Sequence, residues 1–163
     1  MIRILFLLII LPVKVYALIE VDITRGNLNP LPIAVSPLSI DESSRKNFEK
    51  ILKIKNIGSE ISKVVEKNLK TSGLFNPLDK DAFLQAPDIA NLKPRFEDWN
   101  LIKSQALITG KVNFTEDKLR VEFRLWDVLA GKEMMALAFT TVPNNWRRVG
   151  HIITDKVYER LTG

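Results

Sequence analysis

The sequence predicts an α+β two-layer sandwich, a mixed sheet of about five strands with two main helices packed on one face. Three observations predict it. Three consecutive segments between Gln105 and Val142 read as strands separated by short turn signals. Two longer segments, about 57–71 and 145–161, carry apolar residues at helical spacing. Two short extended stretches precede all of these. Alternation with period two marks half-buried strands, and a 3.6-residue period marks amphipathic helices. Two such helices cover one face of a single sheet.

The elements follow in order. Met1 to Ala17, MIRILFLLIILPVKVYA, places Arg3 before an apolar run from Ile4 to Leu11 and ends in Val15-Tyr16-Ala17. That layout is a secretory signal peptide, with cleavage expected after Ala17. The alternative is an N-terminal membrane anchor, but the run is shorter than the roughly 20 apolar residues that span a bilayer. The remaining domain is 18–163, and no stable membrane insertion is expected after cleavage.

Ile19-Glu20-Val21-Asp22-Ile23-Thr24 alternates as a strand, and Gly26-Asn27 starts a loop. Ile33-Ala34-Val35 reads as a second strand, limited by Pro32 and Pro37. Residues 39–55 are polar and lysine-rich and read as a surface loop. From about Ile57 to Thr71, Ile57, Ile61, Val64, Val65 and Leu69 share one helical face. Asn56 suits its N-cap and Gly73 its left-handed end. Leu74 to Leu78 is short and extended, and Asp79 to Leu84 allows one helical turn. Pro87 and Pro94 bracket a loop, and Arg95 to Ile102 reads as a short helix.

Gln105 to Phe114 is mostly apolar and so reads as a central strand. In the next strand Leu119, Val121, Phe123 and Leu125 oppose Arg120, Glu122, Arg124 and Trp126. Met134 to Val142 completes an antiparallel meander. The last helix, about Asn145 to Leu161, sets Trp146, Val149, Ile153, Val157 and Leu161 on one face.

Composition narrows the chemistry. The 163 residues contain no cysteine, which excludes disulfides, thiol catalysis and cysteine-based zinc sites. Net charge is +5. Removing Arg3 and Lys14 with the leader leaves 22 Lys and Arg against 19 Asp and Glu, a net +3. That excess is small, and the basic run 45–55 holds one aromatic, Phe48, rather than the interleaved aromatics that single-strand binders require, so no nucleic-acid partner is expected. His151 is the one histidine and lies off the apolar stripe of its helix. No nucleophile elbow or phosphate loop accompanies it. The adjacent acid pairs Asp41-Glu42, Glu97-Asp98 and Glu116-Asp117 diverge and read as solvated surface. No catalytic, cofactor-binding or metal-binding residue is assigned, and no enzyme is expected.

The terminal strand, Leu18, Ile19, Glu20, Val21, Asp22, Ile23, Thr24, Arg25, Gly26 and Asn27, is the candidate partner-binding segment. Its residue types leave two readings open. It is an edge strand of its own domain, or a mobile segment that adds to a partner's sheet.

The residues also resemble a family. The run Thr71-Ser72-Gly73-Leu74-Phe75-Asn76-Pro77-Leu78 is the most specific match. The Trp99 segment, Leu125-Trp126-Asp127, and Asn145-Trp146-Arg147-Arg148-Val149-Gly150-His151 through Gly163 extend it. In order and spacing the chain is similar to the amino-terminal domain of the TolB family of the periplasmic Tol–Pal envelope system. The resemblance implies an α/β domain followed by a six-bladed β-propeller. It implies docking of Leu18 to about Asn27 on a TolA-like inner-membrane protein, and a role in outer-membrane integrity and cell division. Pal is implied as a partner only where a propeller is supplied. Thr24 stands where the family carries an acidic residue. The other readings are a stand-alone regulator of envelope or cell-wall enzymes, and a truncated fragment without function.

Overall fold

In the computed structural model, Ile19 and residues 29–163 are described. The expected leader and, apart from Ile19, the expected terminal strand lie outside the described residues.

Strand β1, Leu31–Val35, lies between β3, Phe75–Pro77, and β4, Ala106–Thr115, parallel to both. Pro32 sits inside β1 rather than at its end. It is tolerated because its carbonyl accepts Gln105 N–H at 2.9 Å, while the paired ladder with β4 starts only at Ile33. The two-residue β2, Ser39–Ile40, pairs farther along β4. Antiparallel β5, Lys118–Asp127, and β6, Lys132–Thr141, complete the order β3-β1-β4-β5-β6. The mixed sheet and the meander are as expected.

Residues 39–55 are not a loop. Beyond β2 they form helix α1, Glu42–Leu52. Asp41 caps it, accepting Ser44 N–H at 2.8 Å and the hydroxyls of Ser43 and Ser44 at 2.6 and 2.7 Å. Ser44 also receives Phe114 N–H at 2.8 Å, which ties the helix start to β4. Phe48 is wholly buried, edge-on to Phe114 with centroids 5.2 Å apart. Burying such a side chain contributes about 1.5–3 kcal/mol. With so few apolar residues, the stripe was too thin to show as a helical period.

Helix α2, Ile57–Thr71, starts at Asn56, whose side chain accepts Ser59 N–H at 3.0 Å. Gly73 at φ 74 lies just beyond its end, as expected. Pro87 to Pro94 is not a loop throughout. It holds the six-residue α3, Pro87–Leu92, with Pro87 at the first helical position, where its missing N–H costs nothing. Helix α4 is Phe96–Leu101 and α5 is Trp146–Thr162.

Alternation along the strands splits the core in two. Ile33, Val35, Ile108, Val121, Phe123 and Leu125 point to one face, where Phe48, Ile61, Val65, Leu69, Val149, Ile153 and Val157 cover them. Ala34, Leu107 and Trp126 point to the other, against Ala90 of α3 and Trp99 of α4. The two main helices do share one face, with α1 beside them. The reverse face carries a small additional layer, which corrects the assignment of Trp126 to the solvated side. Trp126 is buried there and donates its indole N–H to Thr109 Oγ1 at 2.8 Å.

Candidate functional site

Of the ten residues assigned to partner binding, Ile19 is described. It is partly buried and packs against the main core. Its amide donates to Asp127 Oδ2 at 3.4 Å. Leu18 and residues 20–27 lie outside the described residues.

Asp127 gives this end of the sheet its chemistry. It is the last residue of β5, opposite Ala106 in β4 and Lys132 in β6, and only 1% exposed. Its Oδ1 accepts Ala130 N–H at 2.8 Å, closing the turn to β6, where Gly131 takes φ 62. One oxygen therefore shapes the turn and the other faces Ile19. Both oxygens of this buried side chain accept backbone amides, so it fixes the backbone at this end of the sheet. Sequence reading did not single out Asp127 as a site residue. Its one signal was an Asp three residues ahead of Ala130-Gly131, which reads as ordinary turn chemistry.

The sheet ends at two edges. β3 has three residues and ends in Pro77. β6 has ten, and a register shift between Leu125 and Trp126 interrupts its pairing with β5. Such a bulge twists an edge and discourages indiscriminate pairing. On the outer face Glu122 meets Arg120 at 3.0 Å and Lys111 at 3.5 Å. Burial pushes the Glu122 carboxyl up, but the hydrogen bonds and charges of Arg120 and Lys111 outweigh it and hold it below the usual range.

The other titratable candidates have structural partners. His151 Nδ1 lies 2.8 Å from the Asn68 side-chain amide. Hydrogen bonds from Ser43 and Ser44 lower the Asp41 carboxyl to about 2. Asp98 pairs with Arg95 at 2.7 Å, and Glu116 and Asp117 form the β4–β5 turn at φ 51 and 58. Among the described residues no group of three or more His, Asp or Glu is placed to hold a metal, and no helix is long and apolar enough to cross a membrane.

The geometry thus defines an α+β domain. Residues 19–134 match the family model of the TolB amino-terminal domain, and the chain belongs to that family. It is similar to the Tol-Pal system protein TolB of Pelagibacter ubique (strain HTCC1062), 80% identical over 164 residues, covering all of this chain and 37% of that protein. The chain thus spans little more than a third of that relative's length. The fold is similar to crystalline TolB from Acinetobacter baumannii, with TM-score 0.63, 21% identity, and coverage of 90% of this chain and 32% of that one. Lipoprotein GNA1162 from Neisseria meningitidis shares the fold at TM-score 0.50 and 18% identity, over 80% of this chain and 96% of its own.

Proposed function

We propose that the chain is a periplasmic protein–protein interaction module of the Tol–Pal system. The leader 1–17 is removed on export, and Leu18 to Asn27 docks on a TolA-like inner-membrane protein. In that role it works by binding, without turnover, and supports outer-membrane integrity and cell division.

Family membership supports the system, and the tether of Ile19 supports the docking. Its amide meets the Asp127 carboxylate at the long end of hydrogen bonding, 3.4 Å. An intramolecular hydrogen bond contributes a net ~0.5–1.5 kcal/mol. A partner sheet edge offering a row of backbone bonds competes with that.

The test is capture of purified mature chain by an immobilised TolA-like periplasmic domain. Deleting residues 18–25 abolishes capture and leaves the circular dichroism spectrum unchanged. Capture that survives the deletion rules out the docking role.

A further inference from the structure

A second surface stands apart from the Ile19–Asp127 end. Where the linker after α1 meets the first turns of α2 and α5, the chain forms an open hollow of about 480 Å³. Lys53, Lys55, Lys63 and Arg147 line it, with Glu60 as the one acid. Glu60 is already engaged by Lys63 at 2.7 Å. Lys53, Lys55 and Arg147 have no carboxylate partner among the described residues, so three positive charges share one concavity. Arg147 stacks on Trp146 with its guanidinium 4.4 Å from the ring centroid. Stacking holds the guanidinium plane and leaves its N–H edge available to an oxygen ligand. Sequence reading saw only the basic run 45–55. The fold adds Lys63 from the next helix and Arg147 from α5, the latter far from that run along the chain.

We propose that this hollow is a binding site for a phosphate group. Uncompensated like charges around one cavity raise its potential and concentrate counter-ions. Lysines supply compact charges and arginine a fixed fork, a combination suited to a multiply charged tetrahedral oxyanion rather than to one carboxylate. The phosphate belongs either to a lipid headgroup or to a soluble compound. This inference is independent of docking by residues 18–27.

The test uses the mature chain, residues 18–163, and two probes, inorganic pyrophosphate and vesicles of phosphatidylglycerol and phosphatidylcholine in equal parts. Pyrophosphate is titrated at constant ionic strength and followed by amide chemical shifts. Vesicle binding is scored as the excess over pure phosphatidylcholine. The comparison is a triple variant, Lys53→Gly, Lys55→Gln and Arg147→Gln. Lys53 stands at φ 60, a conformation glycine adopts freely, so that change does not threaten the fold. Should the triple variant fail to fold by thermal melt, Lys55→Gln alone replaces it, since Lys55 is exposed in the linker. Saturable pyrophosphate shifts at Lys55, Ser59 and Arg147 support a soluble source. Preferential flotation with the anionic vesicles supports a headgroup. In either arm the triple variant loses affinity by about tenfold or more. Binding of neither probe, equal binding by the variant, or a response reproduced by chloride overturns the site.

Discussion

Ser62, near the middle of α2, accepts the Leu38 backbone N–H through its hydroxyl at 3.1 Å. The same hydroxyl lies 3.0 Å from the carbonyls of Ser36 and Gly58. Pro37 and Leu38 lead out of β1, and Ser62 is only 1% exposed. One side chain therefore satisfies the backbone of a buried corner between sheet and helix. Ser62→Ala leaves Leu38 N–H unpaired, which costs about 1–3 kcal/mol. Urea unfolding should show a lower midpoint with an unchanged slope. An unaltered midpoint would show that the corner finds another partner.

The same corner needs a glycine. A Cβ on Gly58 would run into the Leu38 carbonyl oxygen, a backbone atom that cannot swing away. At Gly150 of α5 the added Cβ would meet Val64 Cγ1 at 2.8 Å and Val64 Cβ at 2.9 Å, a closer approach than real Cβ atoms make but milder than the one at Gly58. Alanine favours a helix over glycine by about 1 kcal/mol, which partly offsets either clash. Gly58→Ala should therefore lower the melting temperature more than Gly150→Ala. Core overpacking costs about 1–3 kcal/mol, and Gly58 should fall at the upper end. Equal melting temperatures for the two variants contradict this reading.

Asp41 links stability to acidity. Its carboxyl is lowered to about 2 from the ordinary 3.8, chiefly by the Ser43 and Ser44 hydroxyls and the Ser44 amide. A depressed folded-state value stabilises above the unfolded value, and the gain is lost as pH falls through the folded value. The window therefore runs from about pH 4 to 2. Asp41 is exposed, so screening keeps the gain below what the shift alone implies, nearer the ~1 kcal/mol typical of an N-cap. Asp41→Asn keeps a capping acceptor without the charge. The difference in stability between the two proteins should shrink as pH drops from 4 to 2. A difference independent of pH in that range excludes Asp41 as its source.

The legible parts of the fold were those with dense patterns. Ile57, Ile61, Val65 and Leu69 repeat over four turns between a capping Asn56 and Gly73, so α2 was read to its exact ends. Helix α1 rests on Phe48 and Leu52 amid lysines, and such a stripe gives no clear period. Helix α3 is under two turns long, too short for any period. Trp126 shares its strand face with Arg120, Glu122 and Arg124, and period two alone set it in solvent with them. Only the packing of α3 and α4 on the reverse of β4 shows that its end of the strand is covered. The proposed docking segment was legible as an alternation, but the contact of its Ile19 was not. Asp127 acquires its second ligand from Ile19, 108 residues away, and no local pattern carries that pairing.

That pairing can be cut selectively. In Asp127→Asn the amide oxygen satisfies Ala130 N–H, because that bond is the shorter at 2.8 Å and closes the turn. The NH₂ group then faces the Ile19 amide, donor against donor, and the 3.4 Å bond is lost. A net hydrogen bond of ~0.5–1.5 kcal/mol corresponds to amide exchange at Ile19 faster by about two- to tenfold. Exchange at Ala130 should stay the same. Weaker retention raises the share of chains with a released segment, and apparent affinity for a partner scales with that share. On the proposed docking role, the variant should therefore capture the TolA-like domain more tightly by a similar factor. Faster exchange at Ile19 without tighter capture separates the two claims. It keeps the Asp127 contact and removes that contact from the control of docking.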